Sequence, residues 1–508
     1  MGKTKAYYHW LYAVFPVIYL FSYNIEEVSL QVILLPLAVS LAIGMILWLI
    51  FRLIFKNPQK SALLTFLFLF MIFTFGHIMN IFGYSQANKI RLAAYLVYPW
   101  IAVFLGLAIF VVRTRKSLNM LTLVLNVCVL SMFLLSIGKV ISFYAVPAKI
   151  PAPDHVLPDE LPAVDTLKKE DLPDIYYLIF DRYASSKTLE EYFHFNNDKF
   201  ISYLENLGFY VASDSRCNYA SSYLSLSSSL NMQFHNYLVR EGPVWKRVIY
   251  HMLQDFKVWR LLKSTGYRYL HFGGWWEPTK INRNADINFR SRGAINLNQD
   301  FVIKLLDSTI ILGLFKTSVS AAKQRTAILE VFEKLAEVPY MTGPKFVFAH
   351  ILLPHQPYRF DSNGELLTNN LRRQRTSDEN YINQLKFTNT KIMRLVSEIL
   401  EKSSNPPVII IQSDEGPRPH DVAFKKLLPN YRKMQRDRIR MLRFNILNAY
   451  YLPGVDSTVL YSDITPVNSF RIIFNQYFGT NFELLEDKSY TSKASKKKLY
   501  EIKEIQLR

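Results

Sequence analysis

The stretch DIYYLIFDRY, residues 174–183, combines a short apolar run with a carboxylate that directly follows it. Uninterrupted Ile, Tyr, Leu and Phe residues predict a β-strand that is buried on both faces. Four similar runs follow at 267–272, 346–352, 408–411 and 446–452, and helix-like stretches occupy 246–264, 320–337 and 378–402. This alternation predicts an α/β domain with a mostly parallel sheet covered by helices.

The chain before this domain is strongly apolar. Long apolar runs cover residues 7–23, 28–51, 62–84, 92–112 and 121–146. Each is close to or longer than the ~20 residues that a helix needs to cross a bilayer. Consecutive long runs with short polar loops are not typical of soluble helices, so residues 1–146 are predicted to form a transmembrane bundle of five spans. Pro16 interrupts the first run, which makes it the weakest of the five.

The charges indicate how these spans are oriented. The chain has 60 Lys and Arg against 41 Asp and Glu, a net charge of +19. Residues 1–150 hold twelve of the basic residues and two of the acidic ones, so much of the excess lies between apolar runs, and nucleic acid is not expected as a partner. Basic residues in the loops divide eight to two, which predicts a cytoplasmic N-terminus. After an odd number of spans, the rest of the chain would lie in a periplasm or extracellular space.

The second half is expected to have three parts. Residues 147–173 are proline-rich and lack apolar periodicity, which predicts a semi-extended linker. The α/β domain would then cover 174–487, and the lysine-rich residues 488–508 would form a solvated tail. The chain contains two cysteines, only one of them in this half, so no disulfide framework is expected.

Carboxylates follow two of the predicted strands. Asp181 comes after the first strand, and the run IIIQSDEG at 409–416 places Asp414 and Glu415 after a later one. Ligands of parallel sheets gather at the carboxyl ends of the strands. Three carboxylates at one edge would repel one another without a cation between them, so together they predict a divalent metal site. Taken singly, each aspartate could equally be a helix N-cap.

A serine-rich segment, SRCNYASSYLSLSSSLN, covers residues 215–231 between these two strands. Its small hydroxyl residues run into a helix-like apolar pattern. A hydroxyl in the first helical turn would lie beside backbone amides that favour anions. The segment is therefore a candidate location for a nucleophile that accepts a phosphoryl group, and a plain capping element is the alternative.

The order of these parts resembles the sulfatase-like branch of the alkaline phosphatase superfamily. The matching parts are Asp181, the Ser-Arg-x-Asn-Tyr-x-x-Ser segment from Ser215, the FAH run at 348–350, the PHQPY run at 354–358 and the SDEG run at 413–416. Together with five N-terminal spans, they are most similar to membrane-anchored members, the lipoteichoic acid synthases and phosphoethanolamine transferases. The resemblance implies an alkaline-phosphatase/sulfatase type of fold for the outer domain.

The resemblance also implies the metal ligands and the nucleophile. Asp181, Asp414 and Glu415 would hold one divalent metal, and Ser222 would take the phosphoryl group while contacting that metal. The family usually has Asp-His-Gly where this chain has Asp-Glu-Gly, so a nitrogen ligand becomes a carboxylate. An all-oxygen set favours Mn²⁺ or Mg²⁺ over Zn²⁺ or Ca²⁺. The same departure leaves open a degraded, inactive site.

The nucleophile segment differs from that of soluble sulfatases. Ser222 is preferred over Ser221 because Ser225 follows it by three residues, as a serine follows the nucleophilic threonine of lipoteichoic acid synthases; Ser221 remains the alternative. Soluble sulfatases oxidise the cysteine of Cys-x-Pro-x-Arg to formylglycine. Around Cys217, Tyr219 and Ser221 occupy the proline and arginine positions, so this signal is missing and phosphoryl chemistry is favoured over sulfate-ester hydrolysis.

Five further residues are candidate substrate contacts. His355 in the PHQPY run matches a histidine that contacts the substrate's anionic group in the family. Arg182 and His350 lie next to the predicted strand ends, and His350 could alternatively be structural or serve a second metal. Trp275 and Trp276 follow a strand and could stack on a sugar or a lipid headgroup, or simply pack.

The expected function is that of a membrane-anchored, metal-dependent phosphotransferase. It would move a phospho-alcohol group from a membrane lipid donor to an envelope glycan or lipid acceptor through a Ser222 phospho-enzyme. Two alternatives stay open: a phosphodiesterase or sulfatase-type hydrolase that uses water as the acceptor, and an inactive scaffold that binds an anionic envelope polymer. The donor, the acceptor and the oligomeric state do not follow from the sequence.

Overall fold

The computed structural model describes residues 4–25, 28, 30–81, 86–145, 157–158, 172–274, 276–289, 298–309, 318–418, 442–495 and 497–505. The chain forms two units. The helical unit contains Met1–Pro147 and Ile295–Ser320, and the α/β unit contains Ala148–Ala294 and Ala321–Arg508. Residues 295–320 therefore leave the α/β unit, which differs from the uninterrupted outer domain predicted for 174–487.

Five helices form the body of the helical unit: α1 (Tyr8–Tyr23), α2 (Leu34–Phe55), α3 (Pro58–Ile81), α4 (Gln86–Arg113) and α5 (Asn119–Ala145). Among the described residues, four stretches have the length and apolarity to cross a membrane: Leu30–Phe55, Pro58–Ile78, Tyr95–Arg113 and Asn119–Ala145. α1 has 16 residues and contains Pro16, so it is not one of the four.

Close backbone contact joins α1 to α2. Gly44 of α2 lies so near α1 that an added Cβ would be 2.9 Å from the Ala13 Cβ. Ser40 of α2 donates a hydrogen bond to the Ala13 carbonyl. Small residues allow such approach between membrane helices, and a side-chain hydroxyl then bridges the backbones. α1 is thus an integral part of the bundle in spite of its length.

A seven-stranded sheet with the order β2-β8-β7-β1-β6-β4-β5 forms the centre of the α/β unit. Its strands are β1 (Ile175–Phe180), β2 (Tyr210–Val211), β4 (Arg268–Phe272), β5 (Ile287–Phe289), β6 (Lys345–Ile351), β7 (Val408–Gln412) and β8 (Asn448–Tyr451). β7, β1, β6, β4 and β5 are parallel, and β8 is antiparallel to both β7 and β2. The predicted mostly parallel sheet and all five predicted strands are present.

Helices cover both faces of this sheet. The helices after β1 in the α/β unit are α6 (Ser186–Phe193), α7 (Asp198–Asn206), α8 (Ser222–Asn231), α9 (Lys246–Gln254), α10 (Lys257–Ser264), α11 (Glu277–Lys280), α13 (Ser318–Leu335), α14 (Asn369–Gln374), α15 (Ser377–Lys402) and α16 (Pro466–Tyr477). α12 (Asn298–Asp307) belongs to the helical unit. Leu178 and Phe180 of β1 share one core with α15, whereas Tyr177 and Ile179 share the other core with α16. β1 is therefore buried on both faces, as its continuous apolar sequence predicted.

Two sequence predictions differ from the structure. The stretch 246–264 is two helices rather than one, because Asp255 has an extended backbone (φ −132, ψ 93) that ends α9. The predicted solvated tail is instead ordered: β9 (Ser489–Ala494) and β10 (Lys498–Ile505) join β3 (Val244–Trp245) in a three-stranded sheet. Leu499 of β10 is completely buried there, and this burial holds the lysine-rich segment in place. Most of the predicted linker lies outside the described residues.

Candidate metal centre

The carboxyl ends of β7, β1 and β6 are neighbours at one edge of the sheet. Asp181 directly follows β1, and its backbone amide donates to the carbonyl of Ile351 at the end of β6 over 3.0 Å. Asp414 lies two residues beyond β7, and His350 is the penultimate residue of β6. Parallel pairing of three adjacent strands thus brings three chemically active side chains together.

These three side chains form a buried group of candidate metal ligands. One ligand atom from each of Asp181, His350 and Asp414 lies within 4.8 Å of the other two. Asp181 Oδ1, Asp414 Oδ2 and His350 Nε2 are buried without a hydrogen-bond partner in the described structure. Burial and the adjacent Asp414 carboxylate raise the pKa of Asp181 well above its usual range. Buried unpaired carboxylates are costly, so a divalent cation fits this group.

Glu415 lies outside this group, in contrast to its predicted place among the ligands. Its two carboxylate oxygens accept from Arg443 Nη2 at 2.7 Å and from Arg418 Nη2 at 3.1 Å. Arg182 Nε lies 3.8 Å from the same carboxylate. The charge of Glu415 is thus compensated by guanidinium groups rather than directed at the two aspartates.

Backbone geometry fixes the turn that carries Asp414. An added Cβ at Gly416 would lie 2.0 Å from the Leu442 carbonyl oxygen, so only glycine fits. Ser413 Oγ accepts from the Tyr183 amide over 2.9 Å. The Arg182 amide donates to Asp414 Oδ1 over 3.3 Å, with Arg182 in the left-handed region at φ 63. Non-glycine residues seldom adopt that conformation, which is frequently found at functional sites.

The serine-rich segment enters α8 at the predicted place. Ser222 is the first helical residue, and Ser221 precedes it with an extended backbone. The Ser221 side chain makes no capping hydrogen bond, and its Oγ is buried without a partner in the described structure. The capping alternative therefore has no support at Ser221, while both hydroxyls remain candidates for the nucleophile.

His355 lies beside the aspartates. Its Nε2 is 4.0 Å from Asp181 Oδ2, and its Nδ1 donates to the Gln356 carbonyl. Burial and the neighbouring Arg182 guanidinium lower the pKa of His355 to about 3. The imidazole is therefore neutral at physiological pH and carries its proton on Nδ1, because a carbonyl can only accept.

Trp276 packs against neighbouring aromatic rings, which is one of the two alternatives that its sequence position offers. Trp276 is half-buried and contacts the His350 ring edge-on, with centroids 5.7 Å apart. It also contacts Tyr250 at 6.4 Å, so packing accounts for its position. Trp275 lies outside the described residues.

His350 is the member of this group that the sequence analysis did not include among the predicted ligands of the metal. The sequence suggests His350 as a substrate contact, a structural histidine or a ligand of a second metal, and in the structure one of its ring nitrogens lies within 4.8 Å of ligand oxygens of both aspartates. The signal was available, since the FVFAHI run predicts a strand that would end at the same sheet edge as Asp181. Strand order, which the sequence does not reveal, was needed to make β6 the neighbour of β1.

Comparison with known proteins gives matches among solved structures alone. No family model matches the chain, and no curated protein matches it. The solved structures that the chain resembles include phosphoethanolamine transferases and a protein of the alkaline phosphatase superfamily.

Three of these structures show how similar the matches are in sequence identity, coverage and TM-score. The integral membrane protein lipooligosaccharide phosphoethanolamine transferase A from Neisseria meningitidis is 11% identical, with 94% of this chain and 96% of that chain covered and a TM-score of 0.42. The C-terminal periplasmic domain of a phosphoethanolamine transferase from Campylobacter jejuni is 12% identical (62% and 92% covered, TM-score 0.38). An alkaline phosphatase superfamily protein from Vibrio parahaemolyticus is 10% identical (63% and 73% covered, TM-score 0.38). Such similarities assign no residue roles, which must come from this chain's own side chains.

Proposed function

We propose that this protein is a membrane-anchored, metal-dependent phosphotransferase that moves a phospho-alcohol group from a lipid to an envelope glycan or lipid. The observation that carries the proposal is the buried pair Asp181 and Asp414, each with an oxygen that has no hydrogen-bond partner in the described structure. Two adjacent buried carboxylates call for a cation, and the sheet edge that holds them is where ligands of such folds bind.

Asp181 and Asp414 would hold the ion, with Ser222 as the nucleophile. A divalent ion bound there would neutralise phosphate charge and lower the pKa of a nearby hydroxyl. Ser222 Oγ attacks the lipid phosphorus, the bond from phosphorus to the lipid alcohol breaks, and that alcohol leaves with a proton. Ser222 then carries a phosphodiester that keeps the transferred alcohol; an acceptor hydroxyl attacks its phosphorus, the bond to Ser222 Oγ breaks, and Ser222 regains a proton as the product diester forms. His355, whose Nε2 is 4.0 Å from Asp181 Oδ2, and the neighbouring Arg182 would contact the anionic group.

For the metal we propose Mn²⁺ or Mg²⁺, because carboxylate oxygens suit these ions. Mn²⁺ has the advantage that it also accepts an imidazole, and His350 lies within ligand distance of both aspartates. An assay of metal dependence must therefore compare Mn²⁺ with Mg²⁺ and with Zn²⁺.

The anchoring follows from the helical unit. We propose five spans, with α1 as the fifth, a cytoplasmic N-terminus and an extracytoplasmic α/β unit. α1 is about 24 Å long, against a hydrocarbon core of about 30 Å. Its close backbone contact with α2 supports its place in the bundle. Anchoring would keep the active site beside its lipid donor.

Turnover of defined lipids tests this function. Full-length protein in detergent, loaded with Mn²⁺, would be incubated with phosphatidylglycerol or phosphatidylethanolamine and an envelope glycan extract, and products would be identified by mass spectrometry. Transfer of the phospho-alcohol to the glycan is the expected result. Release of the headgroup phosphate to water would indicate the hydrolase instead, and metal-loaded protein that consumes no lipid would indicate the scaffold.

A further inference from the structure

The GGWWEPT run at 273–279 has no role in the function proposed above, yet its two glycines create an unusually close chain approach. An added Cβ at Gly273 would lie 2.1 Å from the Thr279 carbonyl oxygen. At Gly274 it would lie 2.6 Å from the Leu352 side chain and 3.3 Å from the His350 carbonyl oxygen. Only glycine fits at position 273, where the close atoms are backbone, and a side chain at position 274 would displace that of Leu352, so the two glycines allow α11 to lie close to the end of β6.

The result of this approach is a hydrogen-bonded chain that ends at the candidate metal centre. Thr279 Oγ1 lies 2.7 Å from His350 Nδ1, and the Thr279 carbonyl lies 2.7 Å from His271 Nε2. Tyr269 Oη is 2.8 Å from the other nitrogen of His271. All four side chains are buried. A carbonyl can only accept, so His271 donates from Nε2 and accepts the Tyr269 hydroxyl proton at Nδ1.

The same chain controls which nitrogen of His350 faces the aspartates. Because Thr279 occupies Nδ1, Nε2 is the remaining nitrogen, and it is buried without a hydrogen-bond partner in the described structure. One ring nitrogen of His350 lies within 4.8 Å of a ligand oxygen of Asp181 and of Asp414, and Nε2 is the nitrogen that Thr279 leaves for this contact. An imidazole with one nitrogen fixed by a hydrogen bond and the other directed at carboxylates is typical of a metal ligand.

We propose that His350 is the nitrogen ligand of this metal and that Thr279 is the positioning residue that holds its ring. His350 thereby supplies the nitrogen that is lost where the chain has Glu415, whose carboxylate is bound by arginines. The inference rests on the metal dependence in the proposed function and adds a ligand from a different strand. A purely structural histidine would leave Nε2 buried and unpaired, which is energetically unfavourable.

Mn²⁺ bound to the full-length protein in detergent provides the test. Pulsed electron paramagnetic resonance of the Mn²⁺ ion is expected to show a ¹⁴N coupling, and His350→Gln should abolish it and weaken Mn²⁺ binding at least about tenfold. His355→Gln is the matched control and should retain the coupling, since His355 lies outside the three-residue group. Activity is not needed for this measurement.

Thr279 is tested by an isosteric pair of variants. Thr279→Val removes the hydroxyl and keeps the shape, so Mn²⁺ affinity should fall about 10–100-fold, whereas Thr279→Ser keeps the hydroxyl and should stay within a few-fold of wild type. Wild-type protein that binds Mn²⁺ without ¹⁴N coupling, or a coupling that persists in His350→Gln, would overturn the inference and leave the carboxylate site standing. Equal affinities of Thr279→Val and wild type would remove the positioning role. Failure of the wild type to bind Mn²⁺, Mg²⁺ or Zn²⁺ would refute both the inference and the proposed function.

Discussion

The guanidinium of Arg443 donates to a Glu415 carboxylate oxygen at 2.7 Å and also donates to the Ala220 carbonyl. It thereby joins the turn after β7 to the residue that precedes Ser221 and Ser222. The Glu415 carboxylate compensates the positive charge of Arg443. Nε of the buried Arg182 lies 3.8 Å from the same carboxylate. We interpret Glu415 as the structural counter-charge of this arginine cluster, which holds the candidate nucleophile segment next to the turn that carries Asp414.

Glu415→Gln should therefore act on stability. Removing the carboxylate leaves guanidinium groups uncompensated near a buried turn, at an expected cost of roughly 2–4 kcal/mol and a fall of several degrees in the thermal unfolding midpoint. Glu398→Gln is the matched control, because Glu398 pairs with Arg394 and Lys402 on an exposed helix face and such pairs contribute little. An unchanged midpoint combined with lost metal would instead make Glu415 a ligand.

Asp414→Asn should act on the metal. An amide in place of the carboxylate removes one of the two charges that make a cation necessary, so metal content per chain should fall sharply in elemental analysis. Asp463→Asn, at an exposed aspartate, should keep the wild-type content. If both variants retain the same metal, the aspartate pair is not the binding site.

The sequence predicted the elements of the α/β unit well because its strands are buried on both faces. Continuous apolar runs such as 175–180 and 408–411 have no competing interpretation once turns and helices separate them. The carboxylates of Asp181 and Asp414 could be placed at one edge for the same reason. The lysines of 488–508 misled the prediction, since a hairpin with a polar outer face buries only a few residues such as Leu499.

Tertiary relationships account for the remaining differences. His350 joins the aspartates because β6 pairs with β1, a fact of strand order. Glu415 is not grouped with the two aspartates, because its carboxylate accepts a hydrogen bond from Arg443, 28 residues later in the chain. The role of Gly273 and Gly274 is visible only once α11 lies against β6. Local sequence patterns do not predict these contacts, because each joins residues that are far apart in the chain or depends on the order of the strands.

Topology can be tested with a reporter fused after residue 160. Since the basic loop residues divide eight to two, we expect a periplasmic reporter such as alkaline phosphatase to be active at this position. A reporter that works only in the cytoplasm should be inactive there and active when fused after residue 116. The opposite pattern would mean either a reversed orientation or an even number of spans after a cytoplasmic N-terminus, because residues 116 and 160 are separated by the single helix α5.

Gly44 tests whether α1 is an integral helix of the bundle. A side chain at Gly44 would collide with Ala13, so Gly44→Val should separate α1 from α2 and destabilise the protein by about 1–3 kcal/mol. Gly106→Val is the control, because in the described part of the chain a Cβ added there would have no atom within 4 Å apart from its own helix backbone and its chain neighbours. The measurement is the thermal unfolding midpoint in detergent, and equal midpoints for both variants would show that the contact is unimportant.

In the proposed mechanism, the covalent step depends on Ser222. Ser222→Ala should abolish turnover of the lipid donor while the protein stays folded, because a hydroxyl at a helix start contributes only ~1 kcal/mol as a cap. Ser221→Ala should reduce turnover far less, although its Oγ is buried without a partner in the described structure and makes it the competing candidate. Kinetic comparison of the two alanine variants at equal metal content decides between them.

The phospho-enzyme itself can be located chemically. After incubation with a slow phosphodiester and acid quenching, the peptide of residues 217–240 should carry the added mass on Ser222, with Cys217 still a free thiol. Burial raises the pKa of the Cys217 thiol well above its usual range, so it is not itself a competent nucleophile. An adduct on Ser221 would reassign the nucleophile. Full turnover in both alanine variants would eliminate the covalent step, because the acceptor would then attack the donor phosphorus directly.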